Sequence, residues 1–215
     1  MSELHDVEVA VHKTCKELGI KKVDVDNLFS LLSPLRNKNS ITQLHYLHTL
    51  RVGMLARQIG KFIHHEERPL FLAGCLHDLG KCECALGVLG KSENWTKSDT
   101  NQMKKHVRDG YHLLAGKFDF SAEVMVLHHQ FQSDPYPKKL PRHLHKYSRV
   151  TKLLIQEYGR LVAIADVYDA LHRINDKFGK KRQLAGKEIK TKMLEYNPDR
   201  KKLILALYEK GILSI

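Results

Sequence analysis

Residues 76–81 read Leu76-His77-Asp78-Leu79-Gly80-Lys81 and place an imidazole directly beside a carboxylate. Side chains of the same two kinds recur along the chain at His48, His106, His128, His129 and Asp166. Imidazole and carboxylate ligands together suit Zn, Mn, Fe or Ni better than calcium. This ordered set of residues predicts a hydrolytic centre that holds two divalent transition-metal ions.

The apolar residues near this motif recur at three- and four-residue steps, as in Leu47, Leu50 and Met54. This is helical spacing, and runs in which β-branched and polar residues alternate are absent from the sequence. We therefore predict an all-α protein, a helical bundle in which the candidate ligands project inward from separate helices. Helices are expected at 7–18, 25–32, 42–64, from Pro69 to the His-Asp pair, and at 101–114, 121–129, 149–171 and 187–210.

Glycine and proline mark the expected ends of these helices. Gly19 should end the first helix, Pro34 should follow the end of the second, and Gly80 should break the helix that carries the pair. The segments 36–40, 87–100 and 133–139 are expected to be loops, and Gly159 and Asn197-Pro198 are expected to interrupt the later helices. We predict an N-terminal helical extension over 1–40 and one domain over 41–215.

The charge balance is strongly basic. The 215 residues include 36 Lys+Arg against 24 Asp+Glu, a formal net charge of +12. This excess favours acidic partners, which are nucleotides, nucleic acid or an anionic membrane surface. Residues 1–20 contain no apolar export segment, and no apolar run approaches the roughly 18 residues that a membrane span needs. We therefore expect a cytoplasmic protein without membrane insertion.

Asp166 lies in an apolar stretch, Ala163-Ile164-Ala165-Asp166-Val167. An unpaired carboxylate is costly to bury, so it needs a metal, a cation or a network of hydrogen-bond donors. A metal is the preferred partner here, because the other candidate ligands recur in order along the chain.

The order His, His-Asp, His, His-His, Asp closely resembles that of the HD-domain metal phosphohydrolases, in particular the HD-GYP branch, which hydrolyses cyclic di-GMP. The resemblance covers roughly 43–176. Its matched pieces are His48-Thr49-Leu50-Arg51-Val52, Leu76 to Lys81, His106-Val107-Arg108-Asp109-Gly110, His128-His129-Gln130 and Ile164 to Leu171.

The resemblance implies a role for each matched residue. One metal would be held by His48, His77, Asp78 and Asp166. The other would be held by Asp78, His106, His128 and His129, so that Asp78 bridges the two. Asp78 and Lys81 would be the catalytic residues, with Lys81 meeting the scissile phosphate, and Tyr136 would line the substrate pocket.

The sequence also departs from the family pattern. Gln130 follows the paired histidines where the family usually has Glu, and Pro135-Tyr136-Pro137 replaces its Gly-Tyr-Pro loop. The segment His172 to Phe178 stands where an Arg-Pro-Tyr-Arg segment is expected to grip phosphates. Leu44 occupies the place of a glutamate that some members use for a third metal, so two ions are expected.

Basic residues follow the paired histidines closely, in a segment that we call the basic loop: Lys138, Lys139, Arg142, His143, His145, Lys146, Arg149 and Lys152. Lys138, Lys139 and Arg142 are predicted to bind substrate, and the loop could instead receive the backbone of a nucleic acid. A solvated face without a partner is the alternative.

We interpret the chain as a metal-dependent phosphodiesterase that hydrolyses a cyclic dinucleotide such as cyclic di-GMP through a hydroxide activated by two metals. Three alternatives stay open at this point. They are a phosphatase of mononucleotides or guanosine polyphosphates, a catalytically inactive metal-bound module that senses a nucleotide, and a di-iron oxygenase on the same fold. The sequence leaves the metal identity, the substrate and the oligomeric state open.

Overall fold

The computed structural model describes residues 3–37, 39–91, 93–173 and 183–214. Within those ranges every regular element is a helix, which confirms the all-α prediction. The α-helices are α1 Glu3–Glu17, α2 Lys22–Asn37, α3 Ser40–Phe62, α4 Glu67–Leu76, α5 Leu86–Leu89, α6 Lys97–Lys104, α7 His106–Leu114, α8 Asp119–Met125, α9 Arg149–Leu171, α10 Gly186–Tyr196 and α11 Lys201–Glu209. Short 3-10 helices lie at Leu79–Glu83 and Pro198–Arg200.

The long helix α3 lies at the centre, where it packs against α4 most extensively and also against α9, α2 and α1. Two glycines allow α3 and α4 to approach closely. A Cβ atom on Gly74 would lie 2.7 Å from the Cα atom of Gly53, and one on Gly53 would collide with Cys75. This contact fixes the helix that carries His48 against the helix that ends just before His77.

One hydrophobic core extends through the bundle. It includes Val11 of α1, Leu28 of α2, Leu50 of α3 and Ile164 of α9, all fully buried. The helices of the predicted extension therefore share the core with the rest of the chain, and the division at residue 40 stays a prediction. In the described ranges, no helix is both long enough and apolar enough to cross a membrane.

Contrary to the prediction from the sequence, Gly80 does not end helix α4. Helix α4 already ends at Leu76, and the chain continues through Gly80 as a 3-10 helix. A Cβ atom at Gly80 would collide with the backbone of His106 and would lie 2.5 Å from the amide nitrogen of Gly110. The glycine therefore permits contact between this 3-10 helix and the start of α7.

The expected end of the second helix before Pro34 is wrong, because α2 continues to Asn37 with Pro34 inside it. Proline cannot donate the helical hydrogen bond to the carbonyl four residues earlier, here that of Ser30. The Ser33 hydroxyl donates to that carbonyl instead, at 2.8 Å. The expected polar connection over 36–40 is correspondingly shorter, since Asn39 caps α3.

The expected loop over 87–100 is also wrong. It contains most of α5 and the start of α6, which begins with a capping box between Thr96 and Asp99. The expected helix over 101–114 is divided at Lys105 into α6 and α7.

Two more boundaries differ. Helix α9 is unbroken at Gly159, where a Cβ atom would lie 2.7 Å from Leu127, so this glycine serves close packing. The helix expected over 121–129 ends at Met125, because tighter backbone bonds follow, from the amide of Leu127 to the carbonyl of Val124 and onward. The other predicted helices and the interruption at Asn197-Pro198 are confirmed.

Candidate metal centre

The seven predicted metal ligands meet at one place in the bundle. They lie on α3 (His48), at the end of α4 (His77 and Asp78), at the start of α7 (His106), in the turn after α8 (His128 and His129) and on α9 (Asp166). Three groups of their ligand atoms each lie within 4.8 Å of one another: Asp78 with His106, His128 and His129; His48 with His77 and Asp78; and His77 with His128 and Asp166.

Asp78 lies between two sets of imidazoles. Its Oδ2 atom is 3.4 Å from Nε2 of His77 and 3.5 Å from Nε2 of His48. Its Oδ1 atom is 3.1 Å from Nε2 of His106 and 3.8 Å from Nε2 of His128. Each carboxylate oxygen therefore faces a different pair of rings.

Asp166 lies on the side of His48 and His77. Its Oδ1 atom is 3.1 Å from Nε2 of His48 and 3.7 Å from Nε2 of His77. The predicted pairing of Asp166 with these two histidines is thus compatible with the distances.

These ligand atoms have the properties that a metal site requires. Nε2 of His48, His77, His106 and His128 and Oδ1 of Asp78 are buried without a hydrogen-bond partner. Buried polar atoms without partners are rare in folded proteins, and here several converge on one point. Divalent ions bound on the two sides of Asp78 would satisfy them, so the residues fit the metals that the sequence predicts.

The opposite ring nitrogens are anchored. Nδ1–H of His77 donates to the carbonyl of Gly74 at 2.7 Å, and Nδ1–H of His106 donates to that of Met103 at 2.6 Å. His128 makes the same contact with the carbonyl of Met125. Such contacts fix the tautomer and direct Nε2 toward a metal.

The charges of the site attract cations. Burial would raise the pKa of Asp78, but Lys81 and His77 outweigh it and hold the pKa well below the ordinary range. The pKa of Asp166 is likewise lowered, because the adjacent imidazoles of His48 and His77 outweigh its burial. Two ionised carboxylates therefore lie together inside the protein.

The pKa values of two of the imidazoles are shifted in opposite directions. Burial lowers the pKa of His128 to about 3. Burial would also lower the pKa of His77, but the neighbouring Asp78 and Asp166 outweigh it and raise the pKa to about 10.

Lys81 and Tyr136 lie beside this cluster. The Lys81 ammonium donates to Oδ2 of Asp78 at 2.5 Å. The Tyr136 ring stacks on His129 with 4.3 Å between the ring centroids, and it lies 6.2 Å from the ring of His106. Their predicted roles toward a substrate stay predictions.

The three predicted substrate-binding residues of the basic loop are exposed. Lys138 pairs with Asp134 at 2.6 Å, and the same carboxylate also accepts from Lys104 at 2.5 Å. Within the described chain, the side chains of Lys139 and Arg142 make no hydrogen bond or ion pair with the cluster, so their predicted role also stays a prediction.

A buried carboxylate ties the basic loop to α8. Glu123 accepts hydrogen bonds from the amide of Leu144 at 2.6 Å and from Nδ1 of His143 at 2.7 Å. The hydroxyl of Tyr111 donates to the carbonyl of Arg142 at 2.7 Å. In the segment His172 to Phe178, only residues 172 and 173 belong to the described chain.

Asp169 and Arg51 support the centre, although neither is among the site residues predicted from the sequence. Oδ2 of Asp169 lies 2.6 Å from Nδ1 of His48, and Arg51 Nε donates to Oδ1 of Asp169 at 2.6 Å. Asp169 follows Asp166 by three residues, a spacing that puts both carboxylates on one helix face and could have indicated the contact.

Comparison with known proteins gives a consistent picture. The family model described as HD domain matches residues 46–171. The "Cyclic di-GMP phosphodiesterase response regulator RpfG" of Xanthomonas campestris pv. campestris is 35% identical over 124 residues, which cover 55% of this chain and 30% of that protein.

Two further relatives match over more of the chain. The "Cyclic di-GMP phosphodiesterase PA4108" of Pseudomonas aeruginosa is 29% identical over 175 residues, 78% of this chain and 39% of that protein. A "Cyclic di-GMP phosphodiesterase" of Thermotoga maritima is 26% identical over 170 residues, 75% of this chain and 43% of that protein. The chain thus spans less than half the length of these relatives.

Proposed function

This chain belongs to the HD domain family, and on that premise we propose that it is a metal-dependent phosphodiesterase that hydrolyses a cyclic dinucleotide such as cyclic di-GMP. The position of Asp78 carries the proposal, since its two oxygens face two different pairs of imidazoles. The printed names of the relatives support the substrate class.

In this proposal, His48, His77, Asp78 and Asp166 hold one divalent transition-metal ion, and Asp78, His106, His128 and His129 hold the other. Fe, Mn, Ni and Zn all suit this donor set. When bound, the two ions supply Lewis acidity at the phosphorus and lower the pKa of the attacking water. Asp78 would be a ligand in both sets.

Lys81 would contact the scissile phosphate. Its ammonium already lies at the surface of the cluster, 2.5 Å from Asp78, and its side chain is 12% exposed. A cation fixed there can neutralise charge that develops on a non-bridging oxygen, or protonate the leaving oxygen.

Tyr136 and the basic loop would bind the remainder of the substrate. Tyr136 presents an aromatic ring beside His129, on which a base can stack. Lys138, Lys139 and Arg142 carry exposed positive charge on a loop that Glu123 and Tyr111 hold in place. Phosphates distal to the scissile bond would bind these cations, and a nucleic acid backbone is a second anion of the same kind.

The direct test is a substrate screen on purified protein loaded with Mn, Fe or Ni. We expect conversion of cyclic di-GMP to a linear dinucleotide or mononucleotide, and loss of turnover in the Asp78→Ala variant. Absence of turnover with every cyclic dinucleotide would contradict the proposal.

The same screen separates the alternative functions. Hydrolysis of mononucleotides or guanosine polyphosphates alone would identify a phosphatase. Tight nucleotide binding without turnover would identify a sensing module, and oxygen consumption with an organic substrate would identify an oxygenase. The contact of Lys81 with Asp78 favours a phosphate substrate over the last of these.

A further inference from the structure

Asp169 lies behind the cluster and belongs to neither proposed ligand set. Its Oδ2 atom lies 2.6 Å from Nδ1 of His48, between helices α9 and α3. A carboxylate that accepts two hydrogen bonds from an arginine also accepts from His48, so Nδ1 of His48 carries the proton and Nε2 offers its lone pair to the site.

Arg51 holds Asp169 in place. Its Nε atom donates to Oδ1 at 2.6 Å and its Nη2 atom donates to Oδ2 at 3.2 Å, which is the two-bond geometry that orients a carboxylate most strongly. Arg51 lies one turn after His48 on α3, and its Nη1 atom also donates to Glu3 of α1 at 2.8 Å. The carboxylate that orients His48 is therefore itself held by a residue of the helix that carries His48.

The position of His48 within its helix explains why it needs a distant partner. For His77, His106 and His128, Nδ1 donates to the backbone carbonyl three residues earlier. Those carbonyls lie in the last turns of α4, α6 and α8, where the regular helical hydrogen bonds end; that of Met125 also accepts the amide of His128 at 3.2 Å. His48 lies in the interior of α3, where the carbonyl three residues earlier takes part in the regular helical hydrogen bonding, and its Nδ1 contacts Asp169 instead.

We propose that Asp169, held by Arg51, is a positioning residue for His48, which sets the tautomer and orientation of that ring and hence the affinity of the ion on the His48 side. The inference rests on the proposed metal centre. It assigns Asp169 no contact with substrate, and its effect reaches the reaction only through His48.

The test compares Asp169→Asn with the wild-type protein by calorimetric titration of the metal-free protein with Mn²⁺. Asparagine keeps the size of the side chain but loses its charge. We expect one of the two ions to bind about 10–100-fold more weakly, with the other unchanged. Replacing a residue that hydrogen-bonds to a metal ligand typically lowers metal affinity by this factor. Asp169→Glu, which restores the carboxylate, should recover part of the affinity.

A second readout is the ¹⁵N NMR spectrum of the His48 ring in metal-free protein. We expect the Nδ1–H tautomer in the wild type and a mixture of tautomers in Asp169→Asn. A purely structural role for Asp169 would leave this tautomer ratio unchanged.

The chain supplies a matched control in Asp199. It accepts two hydrogen bonds from the buried Arg160, at 2.7 and 3.0 Å, so it forms the same kind of pair at another place. Asp199→Asn should lower the Tm and leave Mn²⁺ affinity unchanged.

Two results of the titration would overturn the inference while leaving the proposed function intact. One is wild-type affinity for both ions in Asp169→Asn; the other is an equal weakening of both ions that merely follows a lower Tm. A wild-type protein that binds no Mn²⁺, Fe²⁺, Ni²⁺ or Zn²⁺ would instead overturn the proposed function, and this inference with it.

Discussion

The ammonium of Lys81 lies 2.5 Å from Oδ2 of Asp78, on the oxygen that also faces His48 and His77. Lys81→Met removes this charge and keeps most of the side-chain volume. We expect kcat on the cyclic dinucleotide to fall about 10²–10³-fold, the typical effect of losing one electrostatic stabiliser of the transition state. Steady-state kinetics with metal analysis checks this, and a normal kcat with reduced metal content would mean that Lys81 acts only on Asp78.

Replacing Asp78 and Asp166 one at a time should show how many ions each of them binds. Asp78→Asn is expected to reduce the bound metal from two ions to none, because Asp78 faces both pairs of imidazoles. Asp166→Asn should remove one ion, because Asp166 contacts only the His48 side closely. Mass spectrometry after dialysis measures the number of ions that each variant retains. If Asp78→Asn kept both ions and full activity, Asp78 would not be a bridge.

Gly80→Ala should be destabilising, because its Cβ atom would collide with backbone atoms of His106, which cannot move aside as a flexible side chain could. We expect a loss of about 1–3 kcal/mol in the free energy of unfolding, the usual cost of overpacking, together with weaker binding of the ion near His106. Urea denaturation measures the first effect. Gly87→Ala is the control, since a Cβ atom there meets nothing within 4 Å, and equal losses in the two variants would refute the argument.

Glu8 should make the stability depend on pH. It accepts hydrogen bonds from Arg36 and from the fully buried Tyr46, both at 2.6 Å, and the bond from Arg36 is the main cause of its lowered pKa. Because the folded pKa lies below the unfolded one, the stabilisation is complete above pH 4.5 and is lost as the pH falls through the folded pKa.

Glu8→Gln should therefore cost about 1–2 kcal/mol at pH 7, and the difference from wild type should disappear in acid. Urea denaturation as a function of pH checks this. Asp26→Asn is the control, because its pair with Lys22 is exposed and is expected to contribute less than about 1 kcal/mol. A difference for Glu8→Gln that persisted unchanged in acid would contradict the assignment.

The sequence predicts the helical class and the seven candidate ligands because both leave local signals, which are apolar spacing and the recurrence of imidazole and carboxylate. The contact that orients His48 leaves almost no local signal in the sequence. Asp169 is 121 positions away, and the contact depends on how α3 and α9 pack. The short helices α5 and α6 were missed for another reason. The capping box at Thr96 is visible in the sequence, but helices of 4 and 8 residues are too short to show an apolar period.

The gathering of ligands from α3, α4, α7, α8 and α9 has a consequence for the lifetime of the folded chain. An ion bound there would act as a cross-link that closes long loops of the backbone, and it would bind the unfolded chain far more weakly. Metal binding and folding would then be thermodynamically linked. The free energy of unfolding would rise with the logarithm of the free metal concentration. Removal of the metal would therefore shorten the half-life of the folded protein as well as abolish its activity.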